Sequence, residues 1–309
     1  MTVTDHEIAS QPEQWTAALS HLDALGAVLR APGERMLLIG CGTSAYMGAS
    51  IAALRETAGF GETDWAFPAE APSGRSYDRL VAITRSGTTT EIRTALAAST
   101  APRTSVLTAV PDAPAANHAD DVIVLDQADE RSIVQTRFPT TLLHLARAAL
   151  GEDVSALAGQ CRDALAAPLP VDVTSVEHLV YLGSGWTLGL AHEAALKVRE
   201  AARAWSESYP ALEYRHGPIA VAGPGSVVWT FGTPPAGLID DIEATGARAV
   251  PTTELDPLVQ LVLAQRVATA LAAHRGLDPD RPRHLTRSVI LTATNAASTN
   301  AASTNGAAR

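Results

Sequence analysis

Two cysteines, Cys41 and Cys161, are all that 309 residues contain, so neither a disulfide framework nor a zinc site built on several thiolates is available. Positive charge is also short. The 23 Lys and Arg residues face 33 Asp and Glu, a formal net charge of −10. Nucleic acid or an anionic membrane would be repelled over most of such a surface, whereas a small anion in a locally positive pocket is still allowed. The N-terminus, Met1-Thr2-Val3-Thr4-Asp5-His6-Glu7, has no basic segment followed by an apolar core, so no secretory signal is expected. Long apolar runs are missing too: Leu258 to Ala273 is interrupted by Gln260, Gln265 and Arg266, and no membrane span is expected. A reducing cytosol is the expected compartment. With 46% hydrophobic and 18% charged residues, the chain is expected to bury a sizeable core.

What is there centres on Thr84-Arg85-Ser86-Gly87-Thr88-Thr89-Thr90-Glu91, directly after the apolar run Leu80-Val81-Ala82-Ile83. The run reads as a buried strand. A Ser/Thr/Gly turn between a strand and a helix offers N–H groups, hydroxyls and the positive helix end to an anion. A turn that merely caps the next helix would have the same composition, so the rest of the chain must decide.

Residues 1–30 read as a helical arm in two pieces, the second opened by Gln11-Pro12-Glu13 and carrying Trp15, Leu19, Leu22, Leu25 and Leu29 at helical spacing. Met36 to Ile39 is a short strand running into Gly40-Cys41-Gly42-Thr43-Ser44 and a small-residue helix to about Ala53. A weak strand near Asp64 to Phe67 follows, then a helix from Thr90 to Ala98, strands Thr104 to Val110 and Val122 to Leu125, and a helix from Thr140 to about Leu150. This alternation predicts a parallel sheet covered on both faces. The second half repeats the order: Leu179 to Leu182 runs into Gly183-Ser184-Gly185-Trp186 and a helix over Leu188 to Glu207, and Val227 to Thr233 echoes Leu80 to Thr88 with Pro234-Pro235 in place of the threonines. The expected layout is an arm over 1–30, a first α/β domain over 31–165, a second over 172–291 and a low-complexity tail over 292–309. That tail contains Asn-Ala-Ala-Ser-Thr twice and is expected to be disordered.

Several constellations have competing explanations. The Gly40 turn fits a dinucleotide fingerprint, but no acidic residue ends the next strand, and the hydroxyls of Thr43 and Ser44 suit a phosphate better than a ribose. Cys41 at a helix start would suit a nucleophile; without a visible base partner, a small buried cysteine is the simpler reading. On the predicted helix from Leu188, the residues Leu188, Ala191, Ala195, Val198, Ala202 and Trp205 share one face, and Glu193, Lys197 and Glu200 another. The ordinary explanation of the latter is a solvated face with a Glu193–Lys197 pair. His216, before Gly217-Pro218, lies in a turn, where function concentrates.

Taken in order, Cys41-Gly42-Thr43-Ser44, Thr84-Arg85-Ser86-Gly87-Thr88-Thr89, Glu193-Ala194-Ala195-Leu196-Lys197-Val198-Arg199-Glu200, Glu213-Tyr214-Arg215-His216-Gly217-Pro218 and Pro282-Arg283-His284-Leu285-Thr286-Arg287-Ser288-Val289 resemble the motifs of the sugar isomerase (SIS) family. The nearest likeness is to the isomerase half of glucosamine-6-phosphate synthase, over essentially 7–289. The resemblance implies an α/β fold of two tandem SIS domains, each a five-stranded parallel sheet between helices in a flavodoxin-like three-layer sandwich. It implies a homodimer whose active sites borrow residues from the neighbour, and chemistry without cofactor or metal. Ser44, Thr84, Arg85, Ser86 and Thr89 match the sugar-phosphate-binding positions, with Gly42, Thr43, Gly87 and Lys197 in support. Glu200 matches the base that moves a proton between C1 and C2, His216 the residue assisting ring opening, and Arg287 the position of a lysine that forms an imine with the open-chain ketose.

The departures are informative. The chain begins Met1-Thr2 where the synthase has a glutaminase domain with an N-terminal cysteine, so glutamine-derived ammonia is not expected. Arg287 stays protonated and forms no imine under ordinary conditions. Thr84-Arg85-Ser86 replaces Ser-Gln-Ser, and the added guanidinium is suited to bidentate phosphate binding. Thr88 replaces a glutamate. The expected function is therefore a phosphosugar isomerase or isomerase/deaminase acting on a hexose or hexosamine 6-phosphate. A non-catalytic sugar-phosphate-binding regulator is the alternative; because such a sensor needs the cradle but not the base, Glu200 and His216 favour catalysis.

Overall fold

The apolar runs of residues 36–39, 80–83 and 179–182 lie in strands, whereas other strands, that of residues 205–210 among them, are largely polar. The computed structural model describes residues 1–250 and 254–291. The chain runs α1 (Val3–Ala9), α2 (Gln11–Ala18), α3 (Leu22–Leu29), β1 (Met36–Ile39), α4 (Thr43–Thr57), β2 (Thr63–Ala66), β3 (Arg79–Ile83), α5 (Thr90–Ala97), β4 (Arg103–Thr108), β5 (Asp121–Val124), α6 (Arg137–Ala149) and α7 (Leu157–Ala166). It continues through β6 (His178–Gly183), α8 (Thr187–Ala202), β7 (Trp205–Pro210), β8 (Ser226–Thr230), α9 (Leu238–Ala244), β9 (Arg248–Val250) and α10 (Pro257–His274).

The strands form two parallel sheets, ordered β2-β1-β3-β4-β5 and β7-β6-β8-β9. Every residue of β1, β3 and β8 is buried, as expected where helices cover both faces of a parallel sheet. The main core joins the two sheets through Met47 and Ile51 of α4, Leu190, Ala194 and Val198 of α8, and Leu258, Leu261 and Val262 of α10. Helices α4 and α8 approach closely because residue 189 is glycine: a Cβ there would stand 2.3 Å from the Tyr46 carbonyl oxygen and 2.3 Å from Ser50 Oγ. This contact brings the start of α4 beside the charged face of α8.

Four features differ from the sequence expectation. The arm is three helices rather than two pieces, because a 3-10 turn over Leu19–His21 separates α2 from α3. The helix expected over Leu188 to Glu207 ends at Ala202, where Arg203 takes a left-handed conformation with φ 48°. Trp205 then opens β7 and is 72% exposed rather than part of an apolar helix face. The second sheet has four strands among the described residues, not five. After β9 the next described element is α10, and no strand follows it among the described residues. The disorder expected for 292–309 lies outside the described residues.

Candidate active site

In the first sheet the strand order reverses direction between β1 and β3, and in open α/β sheets ligands bind beyond the carboxyl ends of the strands at that switch point. The turns leaving β1 and β3 are Gly40 to Ser44 and Thr84 to Thr89. Together Cys41, Ser44, Ile83, Thr84, Arg85, Ser86, Thr89, Ile92, Gln135 and Arg287 line one small cavity of about 30 Å³. All five residues expected to hold phosphate, Ser44, Thr84, Arg85, Ser86 and Thr89, are in this lining. The turn is built by its own groups. Thr84 Oγ1 accepts from the Gly87 N–H at 3.2 Å, and Ser86 Oγ accepts from the Thr88 N–H at 3.3 Å. Gly87 has φ 65°, and a Cβ there would stand 2.3 Å from Ala113 Cβ, so the turn requires glycine twice over.

Arg85 is 2% exposed. Its Nη1 donates to the Ser132 carbonyl at 2.8 Å and its Nη2 to the Arg287 carbonyl at 3.0 Å, while Nε has no partner among the described residues. The fork expected to grip phosphate is thus engaged with two backbone carbonyls. Burial pulls the guanidinium below its ordinary value, opposed by the nearby Glu130 carboxylate. Cys41 also faces the cavity; burial and then Glu91 push its thiol up to about 11, which disfavours the thiolate a nucleophile needs.

The second half of the site lies on α8, where Glu193, Lys197 and Glu200 follow each other along one face. This face is not solvated: Glu193 is 0% and Lys197 1% exposed. Lys197 Nζ donates to Thr43 Oγ1 at 3.0 Å, lies 3.4 Å from Glu193 Oε1, and pairs closely with Glu200 Oε2. Thr43 Oγ1 is also 3.2 Å from Glu193 Oε1. Burial, reinforced by Glu200 and opposed by Lys197, pushes the Glu193 carboxyl up to about 8. Against the cost of burial, Glu193 and Glu200 hold the Lys197 ammonium above its ordinary value. Lys197 is the only lysine in the sequence.

Thr43 receives Lys197, and the next residue, Ser44, lines the hydroxyl-rich turn, so the start of α4 joins the two halves. Glu200 keeps 19% exposure of its side chain and borders an open cavity of about 520 Å³ with Leu196, Arg199, Arg203, Arg283, His284 and Leu285. His216 is elsewhere: it is exposed, follows the short turn Glu213–Arg215, and lines neither cavity. A hollow of similar size between α1, α7 and α10 is lined largely by Met1, Ile8, Ala9, Leu165, Leu169 and Ala273 and has no such converging groups. Among the described residues no cluster of His, Cys, Asp and Glu suited to a metal is found.

Arg287 arrives from the C-terminal segment, which crosses the mouth of the turn. Its carbonyl accepts from Arg85, the Val289 carbonyl accepts from the Thr90 N–H at 3.2 Å, the Leu291 N–H donates to Thr90 Oγ1 at 3.0 Å, and Ser288 Oγ lies 2.8 Å from Thr88 Oγ1. Sequence reasoning missed Gln135, whose Oε1 is buried without a partner among the described residues, and Asp129, which pairs with Arg287. Both sit in the stretch between β5 and α6, which carries no recognisable motif.

No family model matches the chain. In sequence it is similar to glutamine–fructose-6-phosphate aminotransferases (isomerizing). The protein of Pyrobaculum aerophilum is 34% identical over 136 residues, 35% of this chain and 23% of that protein. That of Methanothermobacter thermautotrophicus is 25% identical over 335 positions, covering 89% of this chain and 54% of that protein. The chain therefore spans about half the length of the latter relative and matches under a quarter of the former. Among solved structures it resembles a glucosamine-6-phosphate deaminase from Thermotoga maritima, with a TM-score of 0.79, 24% identity and coverage of 94% of this chain and 100% of the other. It also resembles a tagatose-6-phosphate ketose/aldose isomerase from Escherichia coli, with a TM-score of 0.74, 22% identity and coverage of 94% and 96%. The sequence similarity extends to the isomerase part of the aminotransferases, and the structural likeness establishes that the chain has the α/β fold of these phosphosugar enzymes.

Proposed function

We propose that the chain is a phosphosugar isomerase or isomerase/deaminase of the SIS type, acting on a hexose or hexosamine 6-phosphate by proton transfer between C1 and C2. The observation that carries the proposal is the junction at Thr43-Ser44, which sets a hydroxyl-lined anion cradle beside the carboxylate of Glu200. The turn Thr84 to Thr89, with Ser44, holds the phosphate. Glu200 takes the proton from one carbon of the open-chain sugar and returns it to the other, while the hydroxyl proton crosses between the two oxygens. For an amino sugar, the same transfer gives a ketimine that water hydrolyses to ketose phosphate and ammonia. Positioned carboxylates are competent for such a step.

An imine between enzyme and ketose has no support in this chain. Arg287 stands at the position that resembles the family's lysine. Lys197, the only lysine, is buried between two glutamates and held protonated, the opposite of what a nucleophilic amine needs. Its ammonium pairs with Glu200 Oε2 and orients that carboxylate. Because His216 lines neither cavity of its own protomer, ring opening would be assisted by His216 of a second copy in a homodimer. The named activities of the similar structures, a glucosamine-6-phosphate deaminase and a tagatose-6-phosphate isomerase, favour this reaction class, with amino sugars given the greater weight. Among the described residues no helix is long and apolar enough to cross a membrane.

The test is a panel of hexose and hexosamine 6-phosphates with ketose and ammonia followed separately. The expected result is turnover of at least one member by the wild type. Glu200→Gln should lose about 10²- to 10⁴-fold in kcat while its affinity for phosphosugar is retained. Binding without turnover across the panel would replace the enzyme with a sugar-phosphate-binding regulator.

A further inference from the structure

Arg287 lines the cavity of Ser44, Thr84, Ser86 and Thr89 and not the cavity of Glu200. A residue acting on C1 or C2 belongs near the carboxylate; one acting on phosphate belongs in the hydroxyl-lined turn. Its guanidinium is at present committed elsewhere: Nη2 meets Asp129 Oδ1 at 2.5 Å, and Nη1 donates to the Glu130 carbonyl. Its backbone is fixed from the other side by Arg85. The cavity beneath is small, about 30 Å³, and Arg287 forms part of its wall. Arg85 is locked by two carbonyls and buried, whereas Arg287 and Asp129 retain 36% and 38% side-chain exposure. Of the two arginines in the lining, Arg287 is the more exposed and the one whose side chain is paired with a carboxylate.

We propose that Arg287 is a phosphate-binding residue of this chain, kept over the cradle by the Arg85 contact to its carbonyl and held in reserve by Asp129, whose carboxylate competes with the incoming phosphate for the same guanidinium. The inference rests on the phosphosugar reading of the site and reassigns Arg287 from the chemistry at C1 and C2 to the binding of the distant phosphate. Both partners it exchanges are oxyanions, so the exchange conserves the charge-assisted pair and needs only a rotation of the side chain. The Arg85 guanidinium is a further charged group acting on the Arg287–Asp129 pair. The partnerless Arg85 Nε is then the second donor available at the cradle floor. Arg85 is a positioning residue for Arg287 as well as a wall of the cavity.

The experiment measures inorganic phosphate affinity by calorimetry for the wild type, Asp129→Asn and Arg287→Gln, together with steady-state kinetics on a substrate from the panel. Removing the competitor in Asp129→Asn should tighten phosphate by about three- to tenfold, and Arg287→Gln should weaken it by about tenfold or more. In Arg287→Gln, KM should rise with kcat within about twofold of wild type, the pattern of lost binding rather than lost chemistry. A drop in kcat at unchanged KM would return Arg287 to the reacting carbons. Unchanged or weaker phosphate binding in Asp129→Asn would overturn the competition. Absence of any phosphate or phosphosugar binding by the wild type removes the functional reading itself, whereas binding indifferent to residues 129 and 287 removes only this inference. Both side chains are part exposed, so neither substitution opens the core.

Discussion

Glu193 is the residue whose environment departs furthest from what its neighbours in sequence suggest. A Glu at i and a Lys at i+4 normally mark a solvated helix face, and nothing in the local sequence distinguishes this pair from that case. Its burial comes from α4, packed across α8 at Gly189, a contact between residues far apart in the chain. The consequence is measurable. The folded chain keeps a proton on Glu193 up to about pH 8, whereas the unfolded chain releases it near the ordinary 4.5. Between those values the folded state binds more protons than the unfolded state, so this group's contribution to stability declines as pH rises through the window and is level above it. Glu193→Gln should flatten that decline, which amounts to a few kcal/mol in the wild type. Urea unfolding at the two ends of the window would measure it, and an undiminished slope in the variant would show that Glu193 titrates normally. The cradle hydroxyls were legible for the opposite reason: Thr84, Ser86 and Thr89 lie in one uninterrupted stretch, so their grouping needs no tertiary contact. Gln135 and Asp129 reach the cavity only through the path of the chain between β5 and α6 and left no local signal.

At the level of elements, β1 and β3 coincide with apolar runs bounded by turn residues, and the switch point between them follows once the sheet order is known. β7 was not legible. Its sequence, Trp205-Ser206-Glu207-Ser208-Tyr209-Pro210, follows a long helical pattern directly, and the break depends on Arg203 adopting a left-handed conformation that local propensity does not favour. The strand is completed by pairing with β6, a contact that periodicity along one segment cannot reveal. The turn between β3 and α5 makes a sharper demand. Gly87→Ala should cost about 1–2 kcal/mol for the left-handed backbone alone, with a further loss from the contact with Ala113. Because the shift would move Ser86 and Thr88, phosphate affinity should fall along with the melting temperature. A variant as stable as wild type with undiminished phosphate binding would mean that the turn relaxes without consequence.

For the whole molecule, the two parallel sheets share the order of their first four strands, and the hydroxyl-rich turn lies in the first sheet's half of the chain. Glu200, on α8, is brought toward the turn of the first sheet because α4 and α8 pack together. If His216 serves the neighbouring protomer, Glu200→Gln and His216→Asn subunits, each inactive alone, should regain about a quarter of wild-type activity after mixing and exchange, since random dimers place one intact site in half the assemblies. No recovery in verified heterodimers would confine each site to one chain. The central claim, that Glu200 moves a proton between C1 and C2 of a phosphorylated sugar, is tested most directly by incubating the wild type with the panel of hexose and hexosamine 6-phosphates in heavy water and following deuterium at those carbons by NMR. The account predicts deuterium at C1 or C2 of at least one phosphosugar, none in the unphosphorylated sugar, and loss of the exchange in Glu200→Gln. Exchange that persists undiminished in Glu200→Gln, or its absence from every phosphosugar the protein binds, would contradict it.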